Sequence, residues 1–91
     1  MRRAAKKDDN HNSIVKTLIG SGFSVMETHQ IGEDKPDIVV SLRGQTAVVE
    51  IKNPATKGEM STGQSDFFKL WQGKKIVAYC AEDVFRSFGL I

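Results

Sequence analysis

The sequence predicts a small single-domain α/β fold, with elements in the order αβββαβα around a mixed sheet. Three observations carry this. Two Val- and Ile-rich runs, residues 37–42 and 45–52, are separated only by Arg43-Gly44, which suits a two-residue hairpin turn. Stretches of helical periodicity flank that hairpin on both sides. The chain has 91 residues, 40% of them apolar and 26% charged, which fits one domain with a small core.

Asp8-Asp9-Asn10 offers N-cap residues, and Ile14, Val15, Leu18 and Ile19 then form one helical stripe. Gly20-Ser21-Gly22 stops that helix. Residues 23–30 read as a first strand and 31–36 as a loop. The hairpin strands follow. Residues 53–60 hold a proline, a glycine and few apolar groups, and read as a mobile loop. Ser61-Thr62-Gly63-Gln64 opens a second helix that runs to about Trp71. Residues 75–80 form a last strand. Residues 81–90 form a closing helix, with Val84, Phe85 and Phe88 inward.

Composition excludes several classes. One cysteine, Cys80, rules out a disulfide scaffold. Cys80, His11 and His29 offer three N/S ligands, too few for the usual four-ligand structural zinc site. No apolar run is long enough for a membrane span. The basic start leads into Asp8-Asp9, unlike a signal peptide, so a reducing cytoplasm is expected. The net charge of +2 hides an asymmetry. Arg2, Arg3, Lys6 and Lys7 lie in the first seven positions, which leaves residues 8–91 with nine basic against eleven acidic groups. A basic arm, residues 1–7, precedes a slightly acidic domain, residues 8–91. Such an arm is either a solvated terminus or a phosphate contact.

The hairpin register follows from its turn. Leu42 faces Gln45, Val40 faces Ala47, Ile38 faces Val49 and Asp37 faces Glu50. Side chains alternate between faces. One face carries Ile38, Val40, Leu42, Ala47, Val49 and Ile51 and must be buried. The other carries Asp37, Val39, Ser41, Thr46, Val48, Glu50 and Lys52, with its charges at the end far from the turn. Cβ atoms of facing residues lie about 5 Å apart. Two bare carboxylates at that distance repel by roughly 3 kcal/mol at an effective dielectric near 20. A cation relieves this. Lys52 supplies one charge, and a hard ion such as Mg²⁺ or Mn²⁺ supplies more. The competing reading is a salt-bridged strand end, with Lys52 on Glu50 and Asp37 capping a loop.

Pro36-Asp37 followed by Glu50-Ile51-Lys52 resembles the PD-(D/E)xK nuclease motif. With residues 36–40, 48–53 and 64–71, the chain is similar to the VRR-NUC branch of that superfamily, in its short stand-alone forms from phages and bacteria. Residues 8–15 resemble the first helix of those forms and residues 81–90 their last, so the likeness covers about residues 8–91. Glu33-Asp34-Lys35 stands where the family often has a glycine run, and His11 where Gln or Glu is expected. The resemblance implies a restriction-endonuclease-like core. It implies that Asp37, Glu50 and the backbone carbonyl of Ile51 hold Mg²⁺ or Mn²⁺, and that Lys52 orients water or stabilises charge on the phosphate.

Gln64, Phe67, Phe68 and Trp71 share a helical face. Gln64 is either a capping-box partner of Ser61 or a fourth catalytic residue near the metal edge. Phe67, Phe68 and Trp71 read as core or interface. Asn10 and His11 are either a capped helix start with a half-buried histidine or DNA contacts, and Lys57 is a candidate phosphate contact. His29 reads as a surface strand residue and Cys80 as a buried small hydrophobe. The reading these residues support is a metal-dependent DNA endonuclease. A homodimeric four-way-junction (Holliday-junction) resolvase leads, because the stand-alone relatives look like symmetric dimers acting on branched DNA. A flap or duplex nuclease, a non-catalytic DNA-binding module and a small interaction domain are the alternatives.

Overall fold

Four strands stand side by side in the order β1 (Ser24–Glu27), β2 (Ile38–Leu42), β3 (Gln45–Ile51) and β4 (Lys74–Ala78). The computed structural model describes residues 10–32, 34–53 and 62–91. β1 and β2 are antiparallel, as are β2 and β3, whereas β3 and β4 are parallel, so the sheet is mixed. With α1 (His11–Gly20), α2 (Thr62–Leu70) and α3 (Ala81–Ser87), the chain runs αβββαβα, as the sequence predicts. A parallel step needs a crossover, and α2 lies in it.

Arg43 and Gly44 both have positive φ, 53° and 84°. That is the two-residue turn whose twist matches the strands it joins. It sets Leu42 opposite Gln45, Val40 opposite Ala47 and Ile38 opposite Val49, the register derived from the sequence. The predicted apolar face is the core. Ile38, Val40, Ala47, Val49 and Ile51 are buried against Ile14, Val15 and Leu18 of α1 and Ala81 and Val84 of α3, with Leu42 partly buried beside them. Each large aliphatic side chain buried there contributes about 1.5–3 kcal/mol. Phe23 closes the far end of the core, its ring 5.1 Å from Phe88 in a T-shaped pair.

Both core-packing helices end on a left-handed glycine. Gly22 has φ 100°, and the amide of Phe23 donates to the Leu18 carbonyl at 3.0 Å. Gly89 has φ 76°, and the amide of Leu90 donates to the Phe85 carbonyl at 2.9 Å. These closures use the orphan carbonyls of the last turn. The second one ends α3 at Ser87, before the predicted Leu90.

Other expectations are corrected. Ile19 is 56% exposed, because the buried stripe of α1 is His11, Ile14, Val15 and Leu18 and Ile19 lies at its edge. The first strand stops at Glu27 rather than residue 30, because Thr28 and His29 turn to donate their amides to the Asp37 carbonyl. Cys80 is exposed, not buried, and stands as the extended N-cap of α3. Phe67, Phe68 and Trp71 are not in the main core. Phe67 and Trp71 stack on each other, ring centroids 5.5 Å apart, and Trp71 is 37% exposed. The expected loop over 53–60 lies outside the described residues, except for Asn53, which is buried.

Lys75 anchors α2. Its Nζ donates to the Phe68 carbonyl and, at 3.4 Å, to that of Trp71. A cation at a helix C-terminus opposes the negative end of the helix dipole. Lys75 pairs with Val48, so it sits on the sheet face opposite the core, the face that also bears Glu50.

Candidate functional site

Asp37 sits one step before β2, where the hairpin meets the turn that follows β1. Its backbone is fully used. The amide donates to the Val49 carbonyl at 3.1 Å, and the carbonyl accepts from Thr28 at 2.9 Å and His29 at 3.1 Å. Its side chain takes the next ladder position, with Oδ2 accepting the Ile51 amide at 2.8 Å. Thr28 Oγ1 braces the same turn by donating to the Pro36 carbonyl at 2.7 Å. A carboxylate held this way has little freedom to swing.

Glu50 and Lys52 stand on alternate positions of one face and are both buried, 3% and 7% exposed. Lys52 Nζ lies 3.6 Å from Glu50 Oε2, an ion pair just beyond hydrogen-bond length. The Lys52 amide donates to the Ala78 carbonyl at 2.9 Å, which carries the parallel ladder past the end of β3. A buried ion pair is costly to desolvate, so hydrophobic side chains of the same volume would serve stability as well. Its presence at a strand end beside Asp37 needs a reason other than packing.

The donors gathered here are two carboxylates and the main chain at Ile51. Hard oxygen ligands of this kind fit Mg²⁺ or Mn²⁺. Gln64 is half-buried in the first turn of α2. Ser61, its expected capping-box partner, lies outside the described residues, as do Arg2, Arg3, Lys6, Lys7 and Lys57. In the loop before Pro36, the Asp34 carboxylate lies against Gly63, in the space a Cβ there would occupy. The loop before Pro36 and the start of α2 are therefore in contact.

Two expected DNA contacts are corrected. Asn10 does not cap its helix with its side chain. Its Nδ2 donates to the Lys52 carbonyl at 3.1 Å and to the Tyr79 carbonyl at 2.9 Å. Both amide protons are spent on clamping α1 to the ends of β3 and β4. His11 is 1% exposed, too deep to touch a phosphate backbone. Its Nε2 meets Glu27 Oε1 at 2.9 Å.

Sequence reasoning missed Glu27 and misplaced His29. His29 lies in the turn after β1, its side chain only 9% exposed, with Nε2 3.2 Å from the same Glu27 Oε1. The two imidazoles meet edge to face, centroids 5.1 Å apart. Alternation held a signal for Glu27. It pairs with Ile38, so it faces the core side, where α1 packs. At the end of β4, the Tyr79 amide, at 2.8 Å, and then Arg86 hold the Asp83 carboxyl below the usual carboxylate range.

No family model, curated protein or solved structure matches the chain. Among the described residues, no helix is long and apolar enough to cross a membrane.

Proposed function

We propose that the chain is a metal-dependent DNA endonuclease of the PD-(D/E)xK type. The observation that carries this is the Asp37 carboxylate held on the amide of Ile51, the residue between Glu50 and Lys52, whose side chains form a buried ion pair. The spacing Pro36-Asp37 and Glu50-Ile51-Lys52 and the order αβββαβα agree with it.

Asp37, Glu50 and the Ile51 carbonyl are the groups that would hold Mg²⁺ or Mn²⁺. Such an ion polarises a phosphate oxygen and makes a bound water more acidic. The protein's share is positional and electrostatic. The Ile51 amide aims the Asp37 carboxylate, and burial keeps Glu50 ionic interactions strong. Lys52 holds a positive charge beside Glu50, where it stabilises charge that builds on a cleaved phosphate. The favoured substrate is branched DNA, cut by a homodimer in the manner of a Holliday-junction resolvase. A twofold target needs two sites, and exposed apolar side chains such as Ile31 and Leu70 leave surface for a second copy to cover. A reducing cytoplasm suits the exposed free thiol of Cys80.

The test is a cleavage panel in Mg²⁺ on single-stranded, duplex, flap and four-way-junction DNA, with a chelator control. Preferential junction cleavage, abolished by chelator and by Asp37→Asn, is the expected result. Preferential flap or duplex cleavage would change the substrate. DNA binding without cleavage would leave a binding module. Neither binding nor cleavage would leave a salt-bridged strand end.

A further inference from the structure

We propose that His11, Glu27 and His29 form a second metal site, separate from the acid pair and suited to a borderline transition ion, Zn²⁺ above all. One ligand atom from each residue lies within 4.8 Å of the other two. Both Nε2 atoms already converge on one oxygen, Glu27 Oε1, at 2.9 and 3.2 Å. A tetrahedral site with metal–ligand distances near 2.1 Å has ligand–ligand edges of about 3.4 Å, so modest side-chain adjustments close the set.

Chemistry separates the two sites. Two imidazoles and one carboxylate suit Zn²⁺ and its neighbours, whereas an all-oxygen set suits Mg²⁺. Three protein ligands leave a position for water. Glu27, 44% exposed at its side chain, supplies the way in from solvent, while His11 and His29 form the closed wall.

The sites also lie on opposite faces of the sheet. Glu27 pairs with Ile38 on the core face, and Glu50 is on the other. Their link is the backbone. The amide of His29 donates to the Asp37 carbonyl at 3.1 Å, so an ion on the His-Glu-His set ties α1 to the turn on which Asp37 rests.

The test uses the full chain, titrated with Zn²⁺ against a chromophoric chelator and with Co²⁺ followed by visible absorption. The expected result is one equivalent taken up at the cluster, tetrahedral Co²⁺ bands and a raised melting temperature with Zn²⁺. His29→Gln or Glu27→Gln should weaken uptake more than about 100-fold, since even outer partners of a metal ligand are worth 10–100-fold. Cys80→Ser should leave uptake unchanged. Nitrogen NMR of the wild-type histidine rings tests the site without relying on a variant's folding, because Zn²⁺ should move both Nε2 signals. Absence of uptake at micromolar Zn²⁺, uptake that survives both His29→Gln and Glu27→Gln, or unmoved Nε2 signals would each overturn the proposal.

Discussion

Replacing Lys52 with methionine keeps most of the side chain's volume and removes its charge. Glu50, 3% exposed, then lies buried without the cation now 3.6 Å away. Breaking a buried pair by removing one partner costs about 3–5 kcal/mol. A chain of this length has about 5–14 kcal/mol of stability in total, so the variant should still fold. Taking the lower cost, its melting temperature in chelator should fall by about 12–24 °C, at about 4–8 °C per kcal/mol for a domain this size. A divalent ion on Asp37 and Glu50 supplies the missing charge. Mg²⁺ at a hundred times its dissociation constant should return about 2.7 kcal/mol, nearly the whole loss. Cleavage should stay low throughout, because the restored charge is not on a lysine. The assay is thermal melting followed by circular dichroism, in chelator and across a Mg²⁺ series. A loss under about 1 kcal/mol in chelator would mean that the ion pair is not the desolvated contact its burial indicates. A full loss that Mg²⁺ does not repair would mean that the acid pair takes no ion, and the nuclease reading would fall with it.

Other expectations follow from particular residues. Arg43, at φ 53°, occupies the left-handed region at a cost of about 1 kcal/mol, so Arg43→Asn should raise the melting temperature by several degrees. Cys80 caps α3 without a side-chain hydrogen bond, and Cys80→Ser should add about 0.5–1 kcal/mol, read as a higher denaturation midpoint. The Asp83 carboxyl is held low chiefly by the Tyr79 amide, so it stabilises the fold above the ordinary carboxylate pKa and loses that effect as pH falls through its depressed value. The melting-temperature gap between wild type and Asp83→Asn should be widest near neutrality and narrow below about pH 4. Deleting residues 1–7 should weaken binding to every DNA form alike and flatten the slope of log affinity against log salt by up to about 3–4, with the saturating cleavage rate unchanged.

Much of this was legible from local rules. The turn chemistry of Arg43-Gly44 dictates the register, and strict alternation then decides which side chains are buried. That is why every facing pair from Leu42–Gln45 to Ile38–Val49 was readable. Asp37, Glu50 and Lys52 are legible as one group for the same reason: they belong to one hairpin. The contacts that were not legible join elements distant in sequence. Asn10 reaches Lys52 and Tyr79 just past the ends of β3 and β4, and a residue that looks like a helix cap gives no local sign of this. His11 extends the Ile14, Val15, Leu18 stripe by one turn, which does predict its burial, but its partner depends on how β1 ends. His29 was misplaced because strand propensity continues past Glu27, while the backbone turns there to satisfy the Asp37 carbonyl.

Asp37 joins the hairpin to the turn that follows β1. Its amide, its carbonyl and one carboxylate oxygen all carry hydrogen bonds, to Val49, to Thr28 and His29, and to Ile51. A residue held on three sides is precisely aimed, as a loop cap must be and as the proposed metal-binding carboxylate must be. The same bonds join the two faces of the sheet. The turn that presents His29 to Glu27 is the turn that fixes the Asp37 carbonyl, so any group that stiffens the histidine cluster also narrows the range of positions open to the acid pair. A change confined to one side, such as His29→Gln, should therefore be felt at Asp37 through the backbone.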